Sequence, residues 1–264
     1  MTQISNSPRI LITGASGYLA RFVVERLARQ GYRLRGFDRV TPSDDRPLHD
    51  FVQGDITSFE DIRKACEDQD IVIHLVSIVR NREHLPLGAF NDIMVKGTWN
   101  TMEAAVQAGV RKIVNISSIL AIGYREGPLD KPVREDDPFR AGSYDLYYVL
   151  GKWLGEEIGR AYSQAYSVPV IHIRPGVIDG DGQNEPPSVP DNPDKHWFQY
   201  VAPEDLAQAI EGAVTTQRAA QSSYFIVAGH PEAAFDISSA RRDLGYDPQR
   251  NWTELTRMKP GGPA

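Results

Sequence analysis

Cysteine is almost absent: Cys66 stands alone in 264 residues. No internal disulfide can form, so a reducing compartment, by default the cytoplasm, is expected. Cys66 lies in a helical pattern over residues 59–67 and reads as a packing residue. No apolar run approaches the roughly 20 residues needed to cross a bilayer as a helix, so no membrane partner is expected. Residues 1–9 lack a basic stretch followed by an apolar one, and no secretory leader is expected. Excess positive charge is also missing, with 29 Lys and Arg against 35 Asp and Glu and a formal net charge of −6. Phosphate backbones are bound by clustered cations, so nucleic acid is not an expected partner. A small phosphate-bearing cofactor is not excluded, because backbone amides can hold one. No metal is expected.

What is present is globular: 41% hydrophobic and 24% charged residues give ample core material. Short β-branched runs at 9–13, 33–38, 71–76, 112–117 and 168–173 alternate with helical spacing at 19–30, 59–67, 91–108 and 144–166. Such alternation predicts an α/β fold with a parallel sheet covered on both faces. Residues 179–195 are rich in Pro, Asp, Asn and Gly and read as a loop. A helix from Pro203 to Val214, a strand from Tyr224 to Val227 and a helix over 236–244, with Asp236 or Ser238 near its cap, follow. The tail 259–264 reads as frayed.

Gly14-Ala-Ser-Gly17-Tyr-Leu-Ala20 joins the first strand to the first helix, which is the context a dinucleotide loop requires. Gly14 makes the turn, Gly17 lets the backbone approach a diphosphate, and Ala20 permits close helix–strand packing. The helix N-terminus offers amides and partial positive charge. Ser16, Tyr18 and Leu19 are expected at the cofactor with the two glycines. Asp38 ends the second strand, where an acid meets the adenosine ribose; its charge repels a 2′-phosphate and favours NAD over NADP. Arg39 follows, able to stack on adenine or to hold a 2′-phosphate. Asp55, beside Ile56, suits either the adenine amine or a helix cap ahead of Phe59.

Tyr148 and Lys152 sit four residues apart, on one face of a predicted helix. A free tyrosine has a pKa of ~10, and a neighbouring ammonium lowers it. Tyr148 can then take a proton from a substrate hydroxyl, while Ser118, at the end of a strand, hydrogen-bonds the same oxygen.

Taken together these residues resemble the extended short-chain dehydrogenase/reductase family, also called NAD-dependent epimerase/dehydratases. The matching pieces run in order from Thr13 through Ala20, to Asp38, Gly54-Asp-Ile56, His74-Leu-Val-Ser77, Gly97-Thr-Trp-Asn100, Ser117-Ser118, Tyr148 with Lys152, and Arg174-Pro175. Asp205-Leu-Ala207, Asp236-Ile-Ser238 and Leu244-Gly-Tyr246 look like the family's later motifs. The resemblance implies a Rossmann-type doubly wound parallel sheet in one domain over 1–264. Residues 1–175 are then mainly cofactor-binding and catalytic, and 176–258 form a small substrate-binding portion. It implies that Ser118, Tyr148 and Lys152 are catalytic. It further implies that Leu75, Val76, Ser77 and Pro175 line the NAD along with Tyr148 and Lys152. Ser77, Ser118, Ile119, Tyr148 and Arg174 are expected to face a small-molecule substrate. A homodimer through the helices at 91–108 and 144–166 is the family-level expectation.

Among compact members the chain is most similar to uronate and aldose dehydrogenases. It departs from them in places. Met94 stands where the family often has Asn, and Ile119 and Leu120 replace a polar pair. No arginine lies between Arg174 and Arg218 to clamp a carboxylate; either Lys195 or His196 replaces it or the substrate is not a uronate, and Arg80 and Arg82 read as surface charges that could also reach an anionic group. The segment 181–196 is short for walling a nucleotide sugar. A sugar or sugar-acid dehydrogenase is therefore the main reading. An epimerase or dehydratase that retains its NAD is the alternative, and a non-catalytic dinucleotide sensor comes third.

Overall fold

Short runs of aliphatic residues, buried on both faces, become parallel strands only when helices cover both sides. A computed structural model describes residues 7–78, 85–86, 88–123, 132–142, 145–180, 199–217, 222–230 and 234–251. Strands β1 (Arg9–Thr13), β2 (Arg33–Asp38), β3 (Asp50–Gln53), β4 (Ile71–His74), β5 (Lys112–Ile116), β6 (Val170–Pro175) and β9 (Ser222–Ile226) form one sheet. Its order is β3-β2-β1-β4-β5-β6-β9, and every pairing is parallel. β7 (Val177–Ile178) and β8 (Tyr200–Val201) form a separate parallel pair.

Side chains alternate across the sheet. Ile10, Ile12, Ile73 and Ile171 pack under α1 (Tyr18–Arg29) and α6 (Pro203–Thr215), with α7 (Ser238–Leu244) at the margin. Leu11, Val72, Ile113 and Val170 pack under α2 (Phe59–Cys66) and α4 (Gly97–Gln107) on the opposite face. α5 (Leu146–Tyr166) lies beside α4 on that second face. The order reverses between β1 and β4, so a crevice opens at their carboxyl ends. The expected Rossmann-type doubly wound sheet is thus observed.

Several boundaries differ from expectation. The helix expected over 91–108 divides into a π-helical stretch Asn91–Lys96 and α4, and a short α3 (Gly88–Phe90) precedes it. The Thr98 hydroxyl donates to the Met94 carbonyl at 2.6 Å, while the Gly97 amide reaches back five residues to Asp92. A side chain competing for an i−4 carbonyl loosens the helical ladder there. Ser58, not Asp55, caps α2. The last helix begins at Ser238, and Asp236 accepts from the Ser238 amide at 2.8 Å. Beyond Gly180 the loop expected over 179–195 lies outside the described residues, as do Arg80, Arg82, Lys195, His196 and the tail.

Among the described residues, no helix is long and apolar enough to cross a membrane, and no cluster of His, Cys, Asp and Glu could hold a metal ion.

Candidate active site

The first strand ends against the fourth. The Leu75 amide donates to the Thr13 carbonyl at 3.1 Å, and Gly14 turns the chain with φ +72°. A Cβ on Gly14 would meet the Val76 backbone nitrogen at 3.0 Å, so both φ and space demand glycine there. The Gly17 amide closes the turn onto the Gly14 carbonyl at 3.0 Å. No side chain caps α1, and its first turn carries no acid. An uncapped N-terminus behind a glycine turn suits the diphosphate of a dinucleotide in donor chemistry and charge.

Asp38 reaches this loop. Its carboxylate accepts from the Ser16 amide at 3.0 Å and from the Arg39 amide at 2.7 Å. Arg39 itself is exposed, and its carbonyl accepts from Gln53. Asp55 accepts from the Thr57 amide at 2.9 Å. Ile56 is buried beneath Gly97, and its carbonyl accepts from Asn100. Val76 and Ser77 follow β4 at the switch point, both half-buried.

The proton-transfer candidates lie one strand further along. Ser118 follows β5 and opens the 3-10 turn Ile119–Ile122, accepting from the Leu120 amide at 3.1 Å. Tyr148 and Lys152 project from α5, with the Lys152 Nζ 5.8 Å from the centre of the Tyr148 ring. Lys152 is only 6% exposed, and its ammonium donates to the Ile116 carbonyl at 2.8 Å. Burial lowers its pKa to about 8, with Glu156 opposing the shift, so it remains largely protonated at neutral pH.

Three glycines on α5 make this depth possible. A Cβ at Gly151 would meet the Met94 side chain at 3.0 Å, and one at Gly159 would meet the His172 ring at 2.5 Å. Between them Gly155 faces Thr98. The resulting stripe lets α5 settle against the π-helical stretch, α4 and β6.

Beneath the crevice, Thr13 Oγ1 lies 2.7 Å from His74 Nδ1, and His74 Nε2 lies 3.2 Å from Thr98 Oγ1. Since Thr98 donates to Met94, its oxygen accepts from Nε2–H, and Nδ1 accepts from Thr13. Burial, reinforced by Lys152, lowers the His74 pKa to about 3. A neutral imidazole therefore ties β1 to β4 and α4 at the switch point.

Two residues expected at the substrate lie deeper than the sequence suggested. Arg174 is 3% exposed. Its Nε and Nη2 each donate to Glu156 at 2.8 Å, and its Nη1 donates to the Glu135 carbonyl at 2.9 Å. Ile119 is buried in a small cluster with Ile122, Val133, Phe225 and Val227. Pro175 ends β6, in register with Ile226.

Two groups escaped the sequence reading. Glu156 is fully buried, and its signal was available: it continues the four-residue spacing of Tyr148 and Lys152. Arg46 carries no motif, yet its side chain is 5% exposed and lies on the glycine loop.

A glycine turn, an acid ending β2 and a Tyr–Lys pair at the carboxyl edge of a parallel sheet define an NAD-dependent oxidoreductase of the short-chain dehydrogenase type. The chain belongs to the NAD dependent epimerase/dehydratase family, whose model matches residues 10–192. It is 28% identical to an NAD-dependent glucose-6-phosphate dehydrogenase of Haloferax volcanii, over 94% of this chain and 95% of that one. It is 28% identical to a uronate dehydrogenase of Pseudomonas putida, over 91% and 84% respectively. The crystal structure of uronate dehydrogenase from Agrobacterium tumefaciens superposes with a TM-score of 0.78 at 25% identity, covering 97% of this chain and 91% of that chain.

Proposed function

We propose that this protein oxidises a hydroxyl of a sugar or sugar acid with net reduction of NAD, and that Tyr148 is the base. The observation that carries the reading is the Lys152 ammonium held beside the Tyr148 ring and anchored on the Ile116 carbonyl, two residues before Ser118. Near-full-length similarity to relatives named for glucose 6-phosphate and uronate supports the substrate class. Bound NAD supplies the hydride acceptor. Ser118 holds the substrate oxygen by a hydrogen bond. Tyr148 accepts the hydroxyl proton at its phenolic oxygen, and the Lys152 charge keeps that phenol acidic enough to act near neutral pH.

In this reading Gly14, Ser16, Gly17, Tyr18 and Leu19 cradle the diphosphate, and Asp38 with Arg39 meets the adenosine ribose. Asp55 and Ile56 approach the adenine, while Leu75, Val76, Ser77 and Pro175 lie along the nicotinamide half. Arg174 contributes by fixing α5 against β6 through Glu156. The test is NADH absorbance with a panel of aldoses, sugar phosphates, uronates, polyols and hydroxy acids. NADH is expected to accumulate with at least one sugar or sugar acid. Tightly held cofactor and no NADH with any of them would turn the assignment to an epimerase or dehydratase.

A homodimer through α4 and α5 belongs to the same proposal. Trp99 and Tyr166 are 56% and 55% exposed on those helices. Trp99 donates to the Tyr162 hydroxyl, whose ring stacks on Tyr166. Such an ordered aromatic face suits burial against a second copy. Light scattering should give about twice the mass of the chain, whereas a monomer at micromolar concentration would refute the dimer.

A further inference from the structure

The chain from Asp38 at the end of β2 onward folds back over the glycine loop and is tied to it at three points. Asp38 accepts from the Ser16 amide, the Ser16 hydroxyl donates to the Val40 carbonyl, and Arg46 reaches two loop carbonyls. The Arg46 side chain is almost wholly buried. Its Nη1 donates to the carbonyls of Ala15 and of Gly17, the latter at 3.2 Å. Its Nε and Nη2 form a two-pronged pair with Asp44 at 2.6 and 2.8 Å. The hydrogen bonds hold the Asp44 carboxyl below its usual range. Asp44 thus orients the fork, and the fork grips the loop.

Peptide planarity gives these two grips a consequence. In a trans peptide the carbonyl of one residue and the amide of the next point in opposite directions. Fixing the Ala15 carbonyl on Arg46 aims the Ser16 amide the other way, towards Asp38. Fixing the Gly17 carbonyl on Arg46 aims the Tyr18 amide, the first of α1, away from the guanidinium. One side chain therefore sets the direction of the two loop amides on which the ribose-side acid and the diphosphate cradle depend.

We propose that Arg46 is a cofactor-positioning residue: it pre-orients the glycine-loop amides and so sets the affinity for the ADP half of NAD. A preformed cradle binds without the cost of ordering it. The geometry needs a fork, since a lysine ammonium is a point charge without the planar donor array. The proposal rests on the glycine loop being the cofactor seat.

The test is titration of the wild type, Arg46→Ala and Arg46→Lys with NAD and with ADP-ribose, followed calorimetrically, alongside steady-state kinetics. Arg46→Ala is expected to weaken both ligands about tenfold and to raise KM for NAD. Its kcat at saturating NAD should stay within about threefold of wild type. Arg46→Lys is expected to recover part of the affinity. A folded Arg46→Ala protein binding both ligands within about twofold of wild type would overturn the proposal, as would lost kcat at unchanged affinity. If Arg46→Ala fails to fold, Arg46→Lys decides, and wild-type affinity there would overturn it. Wild type that binds NAD but not ADP-ribose would instead bring down the glycine-loop seat, and this proposal with it.

Discussion

Tyr148→Phe is expected to lower kcat by about 10²–10⁴-fold, the usual worth of a positioned acid–base group, or roughly 3–5.5 kcal/mol of barrier. The substitution removes one oxygen and leaves the ring beside Lys152, so NAD binding should remain measurable by calorimetry. Lys152→Ala should cost a comparable factor. The double variant should be little worse than either single one, because residues that act as a unit do not add. Lys152→Ala also leaves the buried Ile116 carbonyl without its 2.8 Å partner, so its melting temperature should fall as well, while that of Tyr148→Phe should hardly move. Turnover by Tyr148→Phe within about tenfold of wild type would show that the proton goes elsewhere.

The second large effect is on stability. Glu156 accepts two hydrogen bonds from Arg174 and one from Arg160 at 2.6 Å, and it has no exposed surface. Burial alone would raise its pKa, but the Arg174 hydrogen bonds and charge outweigh burial and hold the group at about 2. Glu156→Ala strands the Arg174 guanidinium beside the sheet. Breaking one side of a buried pair costs about 3–5 kcal/mol, here roughly 10 °C in Tm. The pH dependence follows from the sign of the shift. A carboxylate held below its unfolded value of ~4.3 contributes fully above that value and loses its contribution as pH falls towards 2. The Glu156→Ala protein should therefore lose less stability than wild type over that acid range. Thermal unfolding at pH 7 and across the acid limb checks both statements. A loss below about 1 kcal/mol would mean that the pair is not holding α5 to β6.

The sheet was legible because its strands are local and periodic. Arg9–Thr13 and Arg33–Asp38 carry their own β-branched pattern and stop signals, and they are observed at the expected residues. Gly14 was legible for the same reason, since a positive φ between a strand and a helix leaves few residue types to choose from. The π-helical stretch was not legible. It depends on a Thr98 hydroxyl taking the Met94 carbonyl, a contest the apolar period of the helix does not record. Arg174 sits in a family motif, and only the fold shows its guanidinium committed to Glu156, eighteen residues away. Arg46 is the extreme case. Nothing in the run from Thr41 to Arg46 signals that its last side chain lies on Gly17, because that contact is made by a chain reversal.

The phenol on α5 and the hydroxyl after β5 are expected to face one reactive point above the nicotinamide. A crystal structure of the NAD complex with a bound sugar or lactone measures this directly. The Tyr148 and Ser118 oxygens are both expected within about 2.6–3.2 Å of one ligand oxygen, on the open side of the ring. A Tyr148 side chain turned to bulk water, or a nicotinamide lodged away from β5, would contradict it.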